Sequence, residues 1–396
     1  MSPTLLTLFA TIIAYAVSAN SVAPLISTLA GRLNVSAAFF GIFIVVQAIS
    51  FAAASFLGGF VKARLRLNNY HLMAGGLGLI TLALLVAPAV LRSAAAIAVW
   101  IVPLGLAGAS VETFASVEIS VLSPPASSKN LNISQAFYSA GAFAATQIVF
   151  LGLGAGLDWQ GIFIVFGTFT LAIGLLFVLR SRARFRRPGQ EEDGETLAAS
   201  DPAPTASVGS ARVFSSLLSL MIAYVILESI AASWLAYIFE VTYRLTARDA
   251  ALALAAFWAG VTLGRFAIVL LPDRWTLWPA LLACSAALLV LAGLLAGWGS
   301  LHARFALVFL LGLAAGPIWP TIVMTTAVSC RSEHRTAAVV GVGALGFALG
   351  PLLGSLLVRL RLTSYYFLVL AGTAAAILAI CLASYTMYRR AAARGA

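Results

Sequence analysis

Four long stretches of this chain carry no charged side chain at all: Met1–Gly31, Leu33–Val61, Asn130–Leu157 and Trp275–Ala303. Crossing a hydrocarbon layer of about 30 Å takes roughly 20 helical residues, so each stretch is long enough to span a bilayer. In lipid the backbone must satisfy its own polar groups, and within a single segment only the helix does that. The runs therefore predict membrane-crossing helices and disfavour a water-soluble domain. Composition agrees. Charged residues make up 9% of the chain, hydrophobic residues 62%, and mean hydropathy is +1.02. Soluble globular domains carry about 25% charged residues.

Hydropathy places twelve spans at approximately 4–28, 36–60, 70–91, 94–121, 133–156, 160–181, 213–238, 247–271, 276–298, 303–327, 336–358 and 364–388. The expected fold class is an all-α membrane protein with twelve transmembrane helices in two six-helix bundles. One long polar segment separates the sixth and seventh spans. It begins with Arg182, Arg184, Arg186 and Arg187, turns acidic at Glu191, Glu192, Asp193 and Glu195, and continues through a Pro/Ala/Ser stretch. The domain division that follows is 1–181, a linker at 182–212, 213–388, and a tail at 389–396.

The formal charge of +11 reads as topology and excludes nucleic acid as the expected partner, because loops on the cytoplasmic side collect Lys and Arg. With both termini on that side, it holds 17 of the 24 basic residues, including Lys62, Lys129, Arg265, Arg274, Arg331 and Arg394, and the other side 7. The expected location is a bacterial inner membrane, multi-pass, with both termini cytoplasmic, as a monomer. No signal peptide is evident before the first apolar run. Cys284, Cys330 and Cys381 form no metal or disulfide pattern and read as packing residues. No phosphate-binding loop occurs, no nucleophile–base constellation marks an enzyme, and no cofactor is expected.

Chemistry is expected where ionisable groups interrupt the apolar runs. Glu112, Glu118 and Glu228 lie well inside spans. A carboxyl there costs about 2.5 kcal/mol or more, so it usually faces a polar interior. Glu112 and Glu118 point about 120° apart on their helix. Glu112 is taken as facing the interior and Glu118 as turned toward loop charges. Arg265, after Gly264, is either a residue reaching for the interface or a gating charge that binds an acid or a helix C-terminus in one state. Gln135 and Tyr138 share one stripe of the fifth span with Ala142. Asn20, Gln47, Gln147, Tyr237 and Trp258 are further polar or amphipathic groups within spans. Trp234 and Trp319 offer flat faces for a ring-shaped ligand. Pro317 and Pro320, within Gly316-Pro-Ile-Trp-Pro320-Thr321, predict a bend in the tenth span that is either static or used in gating.

Several of these strings resemble a known family. Gly108-Ala-Ser-Val-Glu112-Thr and Asn130-Leu-Asn-Ile-Ser-Gln135-Ala-Phe-Tyr-Ser-Ala-Gly141-Ala are similar to the G-x-x-x-E-T and L-N-x-x-Q-x-F-x-x-x-G-A patterns of the fucose permease branch of the major facilitator superfamily. Glu228-Ser-Ile-Ala-Ala-Ser-Trp234, Phe257-Trp-Ala-Gly-Val-Thr-Leu-Gly264-Arg265 and Gly316-Pro-Ile-Trp-Pro320-Thr321 look like the same group. The resemblance implies two bundles related by an axis along the membrane normal. It implies secondary transport of a small solute, a sugar being the leading candidate, with Glu112 as a proton-coupling carboxylate and Gln135 and Tyr138 as lining residues. The chain departs from the branch at Asn20, which stands before Pro24 where the family has an acid. Asparagine cannot carry a proton. The loop after the second span, Gly59-Phe-Val-Lys62-Ala-Arg64-Leu-Arg66, also lacks the usual acid. Export of amphipathic compounds by proton antiport, and a non-transporting receptor on the same scaffold, are the alternatives.

Overall fold

The structure, a computed structural model, describes residues 2–122, 127–185, 211–270, 277–297, 299–330 and 332–395. Most of the expected linker, with Arg186, Arg187 and the acids at 191–195, lies outside the described residues. So do Arg274, Arg331 and the side chains of Lys129 and Arg394. The described residues form twelve spans: Pro3–Leu33, Phe39–Leu65, Asn69–Val90, Ala94–Leu122, Asn130–Gly154, Trp159–Phe185, Ala211–Tyr243, Ala247–Ile268, Trp278–Gly297, Leu301–Cys330, His334–Arg359 and Thr363–Ala393.

All twelve fall on the spans expected from hydropathy. Spans 1, 2, 7 and 12 run past their expected ends, to Leu33, Leu65, Tyr243 and Ala393. The added turns contain Arg32, Lys62 and Arg64, Glu240, and Arg389 and Arg390. Hydropathy stops where side chains begin to prefer water. Helical hydrogen bonding has no reason to stop there.

Local sequence explains the ends and the breaks. Ser2 caps span 1 by accepting from Leu5 N at 3.3 Å, with Pro3 at the first helical position. Such a cap satisfies an otherwise orphaned donor. Asn68 and Ser332 cap spans 3 and 11 in the same way. Span 1 breaks after Ala19 into a 3-10 turn at Ala23–Leu25 and resumes at Ile26. Pro24 causes this, since it has no N–H and would clash with the carbonyl of residue 20. Span 10 breaks between Ala315 and Ile318, at Gly316-Pro317, where a bend was expected.

The halves repeat one packing plan. Span 2 packs on span 4 as span 8 packs on span 10. Spans 3 and 6 pair as do spans 9 and 12, and spans 1 and 5 as do spans 7 and 11. The ends repeat too. Asn34 after span 1 and Arg244 after span 7 both have left-handed backbone, at φ 51° and 54°. Across the halves, span 5 meets span 8 and span 2 meets span 11.

Spans 8 and 10 come unusually close. Each carries a pair of glycines four residues apart, Gly260 and Gly264 facing Gly312 and Gly316. A Cβ on Gly260 would strike the Phe309 carbonyl, and one on Gly312 the Phe257 carbonyl. One on Gly316 would strike the Val261 carbonyl. Small residues at this spacing let backbones touch without side chains between them. The contact fixes the height and rotation of span 8 one residue before Arg265.

Candidate functional site

The site begins with one ion pair. Arg265 Nη2 donates to Glu228 Oε1 at 2.7 Å, joining span 8 to span 7. Arg265 is 3% exposed and Glu228 4%, so neither group is reaching for the membrane interface. The Arg265 Nη1 group donates at 2.8 Å to the backbone carbonyl of Gln135 on span 5. This bond joins the two bundles. Tyr224 sits one turn before Glu228 and lies against the pair. Arg265 Nε and the Tyr224 hydroxyl are buried without hydrogen-bond partners.

Gln135 faces both bundles. Its backbone oxygen binds Arg265, while its side-chain Nε2 donates to Glu112 Oε1 at 3.4 Å. Glu112, Gln135, Arg265 and Glu228 thus form one polar chain through spans 4, 5, 8 and 7. Glu112 is half-buried, and its hydrogen-bond partner is the neutral amide of Gln135. Gly108 lies one turn before it, and a Cβ there would collide with the ring of Tyr15. The glycine makes room for a phenol beside the carboxyl. This is a physical reason for Gly-x-x-x-Glu spacing.

Aromatic groups extend this cluster to the other bundle. The rings of Tyr15 and Tyr138 lie 5.6 Å apart, and those of Tyr138 and Trp258 6.3 Å apart. Asn20 Nδ2 donates to the Ala16 carbonyl at 2.9 Å and lies 3.5 Å from the Tyr138 hydroxyl. Trp258 Nε1 is buried and unpartnered.

Of the residues singled out in the sequence, Glu112, Asn20, Gln135, Tyr138, Glu228 and Arg265 therefore come together. Others are placed differently. Trp234 is wholly enclosed, and its indole N–H donates to the Pro351 carbonyl at 3.0 Å. It ties span 7 to span 11 and presents no free face to a ring-shaped ligand. Trp319 is half-buried on span 10. Pro317 packs against Gly264, and Pro320 is buried. Pro317 thus belongs to the support beneath Arg265. Glu118 accepts from Asn69 Nδ2 at 2.7 Å, inside the first bundle and away from the chain of four.

Tyr15, Tyr224 and Glu240 were not anticipated. Tyr224 precedes Glu228 by four residues, a spacing that places them on one helical face. Nothing local marks Tyr15. Glu240 lay beyond the expected end of span 7, yet it accepts a hydrogen bond from Ser27 of the first bundle. That contact belongs to a seam at the membrane face opposite the linker. There Ser355 Oγ donates to the Ala38 carbonyl at 2.5 Å, and the Arg248 guanidinium lies 4.6 Å from the Phe150 ring centre.

The sequence matches the Major Facilitator Superfamily over residues 7–343. The chain belongs to that superfamily. No curated protein matches it. Solved structures of similar fold include a bacterial homologue of the human lysosomal transporter Spinster in an inward-facing, unoccupied conformation. That structure has a TM-score of 0.66 at 16% identity and covers 99% of this chain and 97% of its own. The fucose:proton symporter FucP of E. coli, solved as a point variant, scores 0.62 at 18% identity over 96% and 98%. The nucleoside transporter NupG, also solved as a point variant, scores 0.71 at 13% identity over 97% and 99%. At these identities the likeness shows the fold. Membership of the superfamily makes this chain a multi-pass membrane transporter and not an enzyme.

Proposed function

We propose that this facilitator moves a small neutral polar solute, a sugar or a similarly hydroxylated molecule, between its bundles by alternating access in symport with protons. The observation that carries the reading is the chain Glu112–Gln135–Arg265–Glu228, which links a half-buried carboxyl in one bundle to an ion pair in the other. A buried arginine neutralised by its own glutamate has little net attraction for an anion. The buried indole N–H of Trp258, without a partner beside Tyr138, asks for an acceptor oxygen instead.

Glu112 takes up and releases the coupling proton. Its partner Gln135 also anchors Arg265, so a change at Glu112 is felt at the bond between bundles. Breaking the Arg265–Gln135 contact frees span 8 from span 5 and lets the bundles, 1–181 and 213–388, rock. Asn20 contributes a hydrogen-bond donor and no proton. The orientation that fits the basic residues puts both termini and the linker in the cytoplasm of a bacterial inner membrane. The chain works as a monomer.

A second reading is proton-driven export of amphipathic compounds. The rings of Phe51, Tyr15, Tyr138 and Trp258 form one aromatic surface beside Glu112, which suits a flat apolar cargo. The test is flux into proteoliposomes holding only this protein, with labelled sugars, nucleosides and hydrophobic cations under an imposed pH gradient. Accumulation of a neutral hydroxylated solute, driven by the gradient and lost in Glu112→Gln, is the expected result. Movement of hydrophobic cations with no flux of hydroxylated solutes would select the exporter.

A further inference from the structure

A pocket lies between the first and sixth spans. It measures about 250 Å³ and is lined by Pro3, Thr4 and Thr7 at the start of span 1 and by Arg180, Ser181 and Arg184 at the end of span 6. It therefore sits at the membrane surface on the linker face. No carboxylate lies within ion-pair distance of either arginine among the described residues. The Arg184 guanidinium lies over the Tyr70 ring, 5.6 Å from its centre. The carbonyl of Arg184 accepts from Asn68 Nδ2 at 3.0 Å, which holds this turn against span 3.

Two guanidinium groups that line one pocket, with no carboxylate partner among the described residues, are suited to a phosphate, which accepts several charge-assisted hydrogen bonds. The surrounding surface decides between a free phosphate and one attached to lipid. Leu176 shares a helical stripe with Arg180 and Arg184 and is 41% exposed. Leu179 is 55% exposed, and Leu6 on span 1 is 48% exposed. An apolar track leads from the pocket along the outside of the bundle toward the membrane centre. We propose that this pocket binds the phosphate of an anionic phospholipid, whose acyl chains lie along that track. Basic pockets between helices at this depth are suited to such headgroups.

The test uses the full chain in phosphatidylcholine vesicles carrying a few per cent of spin-labelled phosphatidylglycerol or spin-labelled phosphatidylcholine. The motionally restricted fraction of each label reports association. Wild type is expected to favour labelled phosphatidylglycerol by about tenfold. Arg180→Gln with Arg184→Gln should bring the two labels to parity. Lys62→Gln with Arg64→Gln, on the same face, should leave the preference in place. Arg180→Lys with Arg184→Lys keeps the charge and should retain most of the preference, which separates lost binding from lost folding. An unchanged preference in the double glutamine variant overturns the proposal. So does an equal loss in the Lys62/Arg64 variant, which would show a diffuse field only. Binding of inorganic phosphate by the detergent-purified chain, with no preference between the lipid labels, assigns the pocket to a free anion and overturns it too.

Discussion

The two bundles hold their carboxyl groups in opposite company. Glu228 is almost fully enclosed and bonded to a guanidinium at 2.7 Å, while Glu112 is half-buried and bonded to a neutral amide at 3.4 Å. The first arrangement gives up a great deal if either partner changes, because an unpaired charge in low dielectric is costly. The second tolerates the carboxyl in either protonation state, since an amide can donate to one form and accept from the other. One bundle thus supplies a fixed charge pair and the other an adaptable group. Gln135 stands between them. On the function proposed above, proton handling would fall to Glu112 and locking to Arg265 with Glu228.

The largest effect expected from breaking this contrast is at Glu228. Glu228→Ala leaves Arg265 buried without its counter-charge and should cost about 3–5 kcal/mol of stability, read from denaturant unfolding in micelles. Glu228→Gln combined with Arg265→Gln should recover much of it. A cost below about 1 kcal/mol would show the pair to be hydrated and the contrast false. Next is the helix contact beneath Arg265. Gly312→Val forces spans 8 and 10 apart and should cost about 1–3 kcal/mol. It should also weaken ligand binding, whereas Gly293→Val, with open space around it, should do neither. Trp234→Phe removes the indole bond to Pro351 and should cost about 1 kcal/mol, with ligand affinity unchanged; a large loss of affinity would return Trp234 to the site. Smallest in stability is Glu112→Gln, expected within about 1 kcal/mol of wild type because its partner is neutral. Its signature is functional, since solute binding should persist while uptake stops responding to the pH gradient. Uptake by this variant that still follows the gradient removes Glu112 from coupling.

The candidate site was legible in part. Glu112, Glu228 and Arg265 stood out because charge is rare in lipid-spanning helices, and Gln135 and Tyr138 because they share a stripe. Trp234 looked the same in the sequence as Trp258. One is spent on a carbonyl of span 11 while the other meets Tyr138 across the interface, and only packing separates them. Tyr15 could not be found locally, since its place beside Glu112 depends on Gly108 in span 4. Glu240 was hidden by hydropathy, which reports where lipid ends and not where the helix does.

The sequence by itself determined the solvent, the twelve crossings and the bend at Gly316-Pro317. These follow from hydropathy over about twenty residues and from proline's missing donor, both properties of a short stretch of chain. Tertiary structure decided that Arg265 pairs with Glu228, that it also grips the Gln135 carbonyl, and that the glycines of spans 8 and 10 set its position. Those contacts join residues 37 and 130 positions apart, and a window along the chain carries no information about which distant helix faces will meet.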